Sequence, residues 1–539
     1  MRKYQSLTAA ALAIVLSALA GGVFGRGALA TEDKLPDHYR TFTAALAAIQ
    51  DNYAETVESD RLVYGAINGM LQTLDPHSSF MDPKAYARMR EQQEGRYYGL
   101  GLSIVSIDGD ITISRVFEGS PAYSQGIRRG DVIAQIEGES AKGWTTDEAV
   151  RKLRGQKGTF VNIGVRRKGL EELIPLRVMR DEISIPSLKA YFMLDPQTGY
   201  VKVDDFAEHT DEDLGNALTD MKRKGMKRLV FDLRGNPGGQ LDQAIRITNR
   251  FVPRGSKIVY TRGRVANSDH DYHATENGDY LDIPVVVLVS RNSASASEIV
   301  SGALQDHDRA YVIGETTFGK ALVQSVYRVS QGAGLALTTA RYFTPSGRMI
   351  QRPWDGTFDE YLTYTLRDQA DRPHTPDQLK YTVGGRKVYS GGGIEPDKRF
   401  DGPIEGFNPT RFGRSLYARQ LFASYAEQFT AEGDTRPGAQ GKNRRVLKRD
   451  FVVDDAMIED FKQFVIGRKV TIDEESWAKD KEFIRAMIRY DIDVPLFSVA
   501  VAQQHLIEAD PQAKFALTQF PEALKLVEMT RNRQTRAGQ

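Results

Sequence analysis

Leu229-Val-Phe-Asp-Leu-Arg-Gly-Asn-Pro-Gly-Gly239 is a strand that runs into a glycine turn, and the residues from about Leu241 to Arg250 continue it as an amphipathic helix. The pattern recurs downstream. Val285 to Val289 is apolar at every position and leads to a helix from about Ala296 to Leu304, after which Tyr311 to Ile313 is another short buried run. Strands apolar throughout and separated by helices predict an α/β layer with both faces of its sheet covered.

Outward from this core the pattern changes on both sides. Residues 95–180 break into short β-type runs (Leu102 to Val105, Ile111 to Ile113, Asp131 to Ile136, Val161 to Val165) divided by Gly and Asp turns, with one amphipathic helix over Thr146 to Leu153. Residues 35–94 space their apolar side chains helically (Phe42, Leu46, Ile49, Tyr53, then Leu62, Ile67, Met70, Leu71) and break at Asp75-Pro76, which predicts a small helical arm. Beyond residue 401 helices return. Thr471-Ile-Asp-Glu474 reads as a capping box ahead of Phe483, Ile484, Met487 and Ile488, and Asp510-Pro511 and Phe520-Pro521 punctuate later helices. The expected organisation is a helical arm over 35–94, a β-rich domain over 95–180, an α/β domain over 183–400 and a helical region over 401–539.

A chain of 539 residues is too long for one core, and 41% hydrophobic with 27% charged residues describes folded, soluble domains. A net charge of +1 gives no overall field for nucleic acid. The absence of cysteine excludes disulfides, thiolate metal sites and a Cys nucleophile, so covalent catalysis has to use Ser, Thr, Lys or a carboxylate. No metal or cofactor is expected. Residues 1–30 carry Arg2 and Lys3, an uncharged apolar run from Leu7 to Phe24, and Ala28-Leu29-Ala30, the layout of a secretory signal peptide. The alternative is an uncleaved anchor in the inner membrane; the small-x-small site favours cleavage. Either way the body is exported, to the periplasm or cell envelope.

Tyr98-Gly99-Leu100-Gly101-Leu102 precedes the first β run, and Ser120-Pro121-Ala122, Gly126-Ile127 and Gly130-Asp131-Val132-Ile133 follow. This set resembles a PDZ domain over residues 95–180. The resemblance implies that the peptide N–H groups of the Gly99, Leu100, Gly101 and Leu102 loop receive the carboxylate of a protein's last residue, whose tail then adds as a strand to the sheet edge. Glycine is suited to such a loop because no Cβ obstructs converging amides.

Asn292-Ser-Ala-Ser-Ala-Ser-Glu298 lies between a strand and a helix, where peptide N–H groups and the helix dipole favour an oxyanion. Ser295-Ala-Ser-Glu298 also fits a capping box with no catalytic role. An activating base decides between the two. His270 and His273 fall in a polar loop, Asp269 to His273, unconnected to any serine motif, so a histidine triad is unsupported. Gly314-x4-Gly319-Lys320 imitates a phosphate loop, yet Ala321 offers no hydroxyl to Mg²⁺ and Ala321 to Val329 reads as a strand where a helix is required. Lys320 is left as a base. In an extended segment Gln324 shares its face and can orient it by a hydrogen bond. Bringing a lysine from about 10.4 to about 7 costs on the order of 4–5 kcal/mol, which calls for a desolvated pocket such as Phe318, Leu322 and Val323 would supply.

These segments, with Leu74-Asp-Pro-His-Ser78, Tyr342-Phe-Thr-Pro-Ser-Gly-Arg348 and Gly393-Ile-Glu-Pro-Asp397, resemble the C-terminal processing peptidases, or tail-specific proteases, over residues 35–400. The resemblance implies a multidomain α/β protein with a crotonase/ClpP-like peptidase core, Ser295 as nucleophile, Lys320 as general base and Gln324 as the residue that holds the lysine. It further implies an oxyanion hole from the peptide N–H groups of Ala296, Gly238 and Gly239. Asp232 and Arg234 match a family motif and are read as structural. The partners implied are protein or peptide substrates with free C-terminal tails; a homo-oligomer or an adaptor protein is compatible with the sequence. The competing function is a catalytically silent PDZ scaffold or ligand-binding protein, whose sign would be loss of Ser295 or Lys320. Both residues are present.

Overall fold

In the computed structural model, residues 35–167, 169–329, 332–354, 360–361, 363, 373–400, 409–432 and 448–537 are described, so the signal segment expected at 1–30 lies outside the described residues. The chain divides into two units, one ending at Asp82 and the other beginning at Pro83. In the first, α1 (Leu35–Asn52) and α2 (Ser59–Gln72) precede the short β1 (Ser79–Met81). The break at Asp75-Pro76 is a closed turn: one Asp75 oxygen accepts the N–H groups of His77 and Ser78, each at 2.8 Å, and the other accepts the Ser78 hydroxyl at 2.7 Å.

The second unit opens with α3 (Pro83–Glu94), so the arm expected over 35–94 is helical but split between the two units. Next come β2 (Arg96–Gly99), β3 (Leu102–Ile107), β4 (Asp110–Val116), the single turn α4 (Pro121–Ser124), β5 (Val132–Ile136), β6 (Glu139–Ser140), α5 (Thr146–Leu153), β7 (Phe160–Arg166), β8 (Ile174–Met179) and β9 (Asp181–Ser184). Strands β3-β4-β5-β7-β8 lie in that order with β6 on β5, which leaves β3 at an edge; β2 pairs with β9. Alternation turns Ile111, Ile113, Ile133, Val161, Ile163 and Val165 into one core, against which α5 buries Ala149 and Leu153. A reciprocal capping box between Thr145 and Glu148 starts α5 at the position expected from sequence.

The α/β domain runs through β10 (Leu188–Asp195), β11 (Thr198–Val203), α6 (Thr210–Arg223), β12 (Arg228–Asp232), α7 (Leu241–Asn249), β13 (Lys257–Arg262), β14 (His270–His273), β15 (Val285–Val289), α8 (Ala296–Asp306), β16 (Ala310–Gly314), β17 (Leu322–Arg328), β18 (Gly334–Phe343), β19 (Leu379–Tyr381), β20 (Lys387–Tyr389) and β21 (Lys398–Arg399). Its main sheet has the order β10-β11-β12-β15-β16-β21, parallel from β11 onward with β10 antiparallel at the edge. β17, β18, β13 and β14 form a separate antiparallel arrangement in which β18 pairs with both β17 and β13. His270 and His273 are exposed on β14, a strand where the sequence read as irregular.

The remaining helices are α9 (Arg411–Ala418), α10 (Leu421–Glu432), α11 (Asp455–Gly467), α12 (Glu474–Lys479), α13 (Lys481–Leu496), α14 (Val499–Ala509), α15 (Pro511–Thr518) and α16 (Phe520–Ala537). Those up to α13 bury their own aromatic core, including Phe422, Tyr425, Phe461 and Trp477. The capping box expected at 471–474 is displaced: the N-cap is Asp473, whose side chain accepts from the Ser476 N–H, and Phe483 to Ile488 belong to the next helix. The last three helices do something the sequence left open. In β12, Leu229 and Phe231 face one core with α6, α7 and α8, while Val230 faces a second, shared with Val286, Leu288, Ile313, Ile507, Ala513 and Phe520. The second face of the sheet is thus covered by the end of the chain. Buried charge joins the same parts, since Arg234 reaches Asp510 at 2.7 Å and Gln512 Oε1 at 2.9 Å.

Candidate active site

Three loops meet at the C-terminal ends of neighbouring parallel strands, the position where open α/β sheets present their chemistry. They follow β12, β15 and β16. After β15, Ser293 and Ser297 are fully buried and committed: the Ser293 hydroxyl donates to the Leu233 carbonyl at 2.8 Å, and that of Ser297 to the Asn236 carbonyl at 3.0 Å. Ser295 between them is partly exposed. It is the N-cap of α8 with φ 55° and ψ −113°, a left-handed conformation that a non-glycine residue adopts only under local constraint. Only the Glu298 side of the expected capping box has hydrogen-bond geometry, the Ser295 N–H donating to Glu298 Oε2 at 2.8 Å; the Ser295 hydroxyl makes no cap bond.

Glu298 is completely buried and gathers the two segments. Its Oε2 also accepts the Lys320 N–H at 2.9 Å, while Oε1 accepts the Gly319 N–H at 2.7 Å and the Thr317 hydroxyl at 2.5 Å. The main-chain nitrogens of Ser295 and Lys320 therefore share one oxygen atom. Sequence reading gave this glutamate only a capping role. The signal available was its place in a segment otherwise made of small and apolar residues, where a lone carboxylate has to find donors.

Burial pushes the Glu298 carboxyl up to about 7, against the pull of its donors. Unfolded, it titrates near 4.5, so between these values the folded protein keeps a proton that the unfolded chain has lost. The contribution of this group to stability accordingly falls as pH rises through that window, by on the order of 3 kcal/mol. Denaturant unfolding of the wild type and Glu298→Gln at pH 5 and pH 8 checks this. The wild type is expected to lose stability relative to the variant at the higher pH; an unchanged difference would mean that the carboxyl is ionised throughout.

Lys320, partly exposed just before β17, donates from Nζ to Gln324 Oε1 at 2.9 Å. Gln324 lies at an irregularity in the β17–β18 register, between Val323 and Gln324. Of the apolar neighbours expected around the lysine, Leu322 is buried, while the Phe318 ring carries the Arg352 guanidinium 4.4 Å from its centre. The lysine loop is pinned from the far side by the Arg352 N–H to the Gly319 carbonyl, 2.8 Å, and the Ala321 N–H to Gln351 Oε1, 2.9 Å.

The loop after β12 lies directly against the serine. A Cβ on Gly238 would stand 2.7 Å from that of Ser295, and one on Gly239 would stand 2.4 Å from the Phe206 carbonyl oxygen, so neither position admits a side chain. One expectation requires correction. The Gly238 N–H donates to Asn236 Oδ1 at 2.8 Å and is already committed, whereas the N–H groups of Ala296 and Gly239 have no partner among the described residues. Asp232 and Arg234 hold the base of this loop: both are buried, with Arg234 Nη2 2.6 Å from Asp232 Oδ2. Burial opposes the Asp232 charge, but Arg234 and Lys202 outweigh it and keep the carboxyl well below the usual range.

In the β-rich domain, Gly101 has φ 79°, and a Cβ there would lie 2.2 Å from that of Ser120. The carbonyls of Leu100 and Gly101 accept the N–H groups of Ala122 and Phe117, each at 3.0 Å, which turns them into the domain. Beside the loop, Arg154 stacks 4.6 Å above the Tyr97 ring and pairs with Glu91 at 2.5 Å.

A reachable serine at a constrained helix start, with unclaimed N–H groups and a lysine loop tied to the same glutamate, has the parts of an acyl-transferring hydrolase. Comparison with known proteins gives the family. The model for peptidase family S41 matches residues 197–357, the PDZ domain matches 89–166, and the "Activating protease CtpB N-terminal domain" matches 26–85. The carboxy-terminal processing protease CtpA of Bacillus subtilis is 34% identical over 379 residues, covering 69% of this chain and 79% of that protein. The carboxy-terminal-processing protease of Bartonella bacilliformis is 40% identical over 308 residues, covering 56% and 70%. The chain belongs to the carboxy-terminal processing proteases, and it is a serine-type peptidase.

Proposed function

We propose that this chain is an exported endopeptidase that captures protein substrates by the free C-terminal tail and cuts them with a Ser295/Lys320 dyad. What carries this reading is that Ser295, the accessible serine of its cluster, shares Glu298 Oε2 with Lys320 through the two main-chain N–H groups. As a neutral amine oriented by Gln324, Lys320 takes the Ser295 proton while the serine oxygen attacks the scissile carbonyl. The oxyanion that forms accepts the N–H groups of Ala296 and Gly239. Lys320 then protonates the leaving amine, and water, deprotonated by the same lysine, releases the acyl group.

Capture is assigned to residues 95–180 and cleavage to 183–400. The Gly99, Leu100, Gly101 and Leu102 loop receives the tail's carboxylate, and the tail adds to β3, whose edge position supports strand addition. The layout of residues 1–30 supports export; among the described residues no helix is long and apolar enough to cross a membrane. No observation favours a silent scaffold. The test is cleavage of one tailed reporter with a free and with an amidated C-terminus. Amidation removes the anion without touching the scissile bond, so kcat/KM is expected to fall about tenfold or more, mostly through KM. Equal rates on the two termini would remove the PDZ loop from substrate capture.

A further inference from the structure

We infer that Tyr342 is a positioning residue for the dyad: its hydroxyl bridges the main-chain carbonyls of Ser295 and Lys320 and so sets the spacing of nucleophile and base. This rests on the Ser295/Lys320 reading above. The Tyr342 hydroxyl donates to the Lys320 carbonyl and lies 3.2 Å from the Ser295 carbonyl. Its ring is buried to 1% exposure on β18, and its own N–H is bonded to the Ala321 carbonyl at 2.9 Å, so the phenol is fixed from both ends.

The consequence follows from the other half of the arrangement. Glu298 Oε2 takes the N–H groups of Ser295 and Lys320, and the Tyr342 hydroxyl faces their two carbonyls. Lys320 is thereby held on both sides of its Cα, by the Glu298 acceptor and the Tyr342 donor, and the same hydroxyl, sharing its one proton, stands against the Ser295 carbonyl, which also accepts the N–H groups of Glu298 and Ile299 at 2.9 and 3.0 Å. These contacts come from two different elements, α8 and β18, and no strand pairing between β15 and β17 does the same work. Burial raises the phenol well above its usual value, so it remains a donor over the whole working range. The hydroxyl approaches main chain only, which makes Tyr342 a support for the reacting groups and not one of them. A displacement of about 1 Å between reacting groups is enough to cost roughly 100-fold in rate.

In the full-length protein, Tyr342→Phe is expected to lower kcat for a tailed reporter about 10- to 100-fold with KM within about twofold, and to slow phosphonylation of Ser295 by a small fluorophosphonate, in which the serine oxygen displaces fluoride from phosphorus, to a similar extent. Tyr425→Phe is the control. It removes another buried hydroxyl, bonded to Asp460 at 2.8 Å in the separate helical core, and is expected to keep kcat. Rescue tests the donor itself: 4-aminophenylalanine at position 342 retains an N–H at the same place and should restore kcat, while 4-methylphenylalanine should not. That pair also decides the matter if Tyr342→Phe does not fold. Equal kcat for the amino and methyl forms, or a Tyr342→Phe kcat within twofold of the wild type, would overturn the inference. If instead Ser295→Ala remained active, the dyad itself would fall, and the two failures are told apart in one assay.

Discussion

Ser295→Ala is expected to lower peptide hydrolysis by roughly 10^6-fold while leaving the melting temperature nearly unchanged. Its hydroxyl makes no cap bond, and the left-handed backbone is no worse for alanine than for serine, so folding loses little. Ser293→Ala and Ser297→Ala should behave in the opposite way. Each deletes a buried hydrogen bond to the loop after β12, at a cost of about 1–3 kcal/mol, but neither removes the attacking oxygen. Kinetics and thermal unfolding of the three variants separate the roles, and an essential Ser297 beside a dispensable Ser295 would contradict the assignment.

The parts of this fold that were legible in the sequence are those with a local signature. β12 and β15 stood out because a strand buried on both faces must be apolar at consecutive positions, and α5 because Thr146 to Leu153 is amphipathic at helical spacing among short β runs. The Lys320–Gln324 contact was foreseeable because four residues of extended chain return to one face. What covers the second face of the sheet was not, since Val230 shares a core with Phe520, and Arg234 meets Asp510 and Gln512, the latter 278 positions further along the chain. Gly238 illustrates a different limit. Its glycine requirement could be read, but whether its N–H is available depends on the orientation of the Asn236 side chain, which no pattern encodes. Glu298 and Tyr342 lay within motifs already noted, and their joint hold on Ser295 and Lys320 emerged only when α8 and β18 were seen side by side.

The second large effect concerns the base. Lys320→Arg keeps a long basic side chain with a donor for Gln324, but a guanidinium stays protonated at any working pH and cannot accept the serine proton. Loss of general-base assistance is worth roughly 10^2- to 10^4-fold; His270, His307 and His505 are engaged elsewhere, and the Glu298 oxygens already accept main-chain and hydroxyl donors. Because Lys320 is partly exposed and its N–H is held by Glu298 whatever its side chain, the variant should fold and bind tails as the wild type does. The most direct test of the dyad is therefore the single-turnover cleavage rate of a tailed reporter by Lys320→Arg, at saturating enzyme and with tail binding verified by titration. The account predicts binding within about twofold of the wild type and a cleavage rate at least about 100-fold slower; cleavage at the wild-type rate would contradict it.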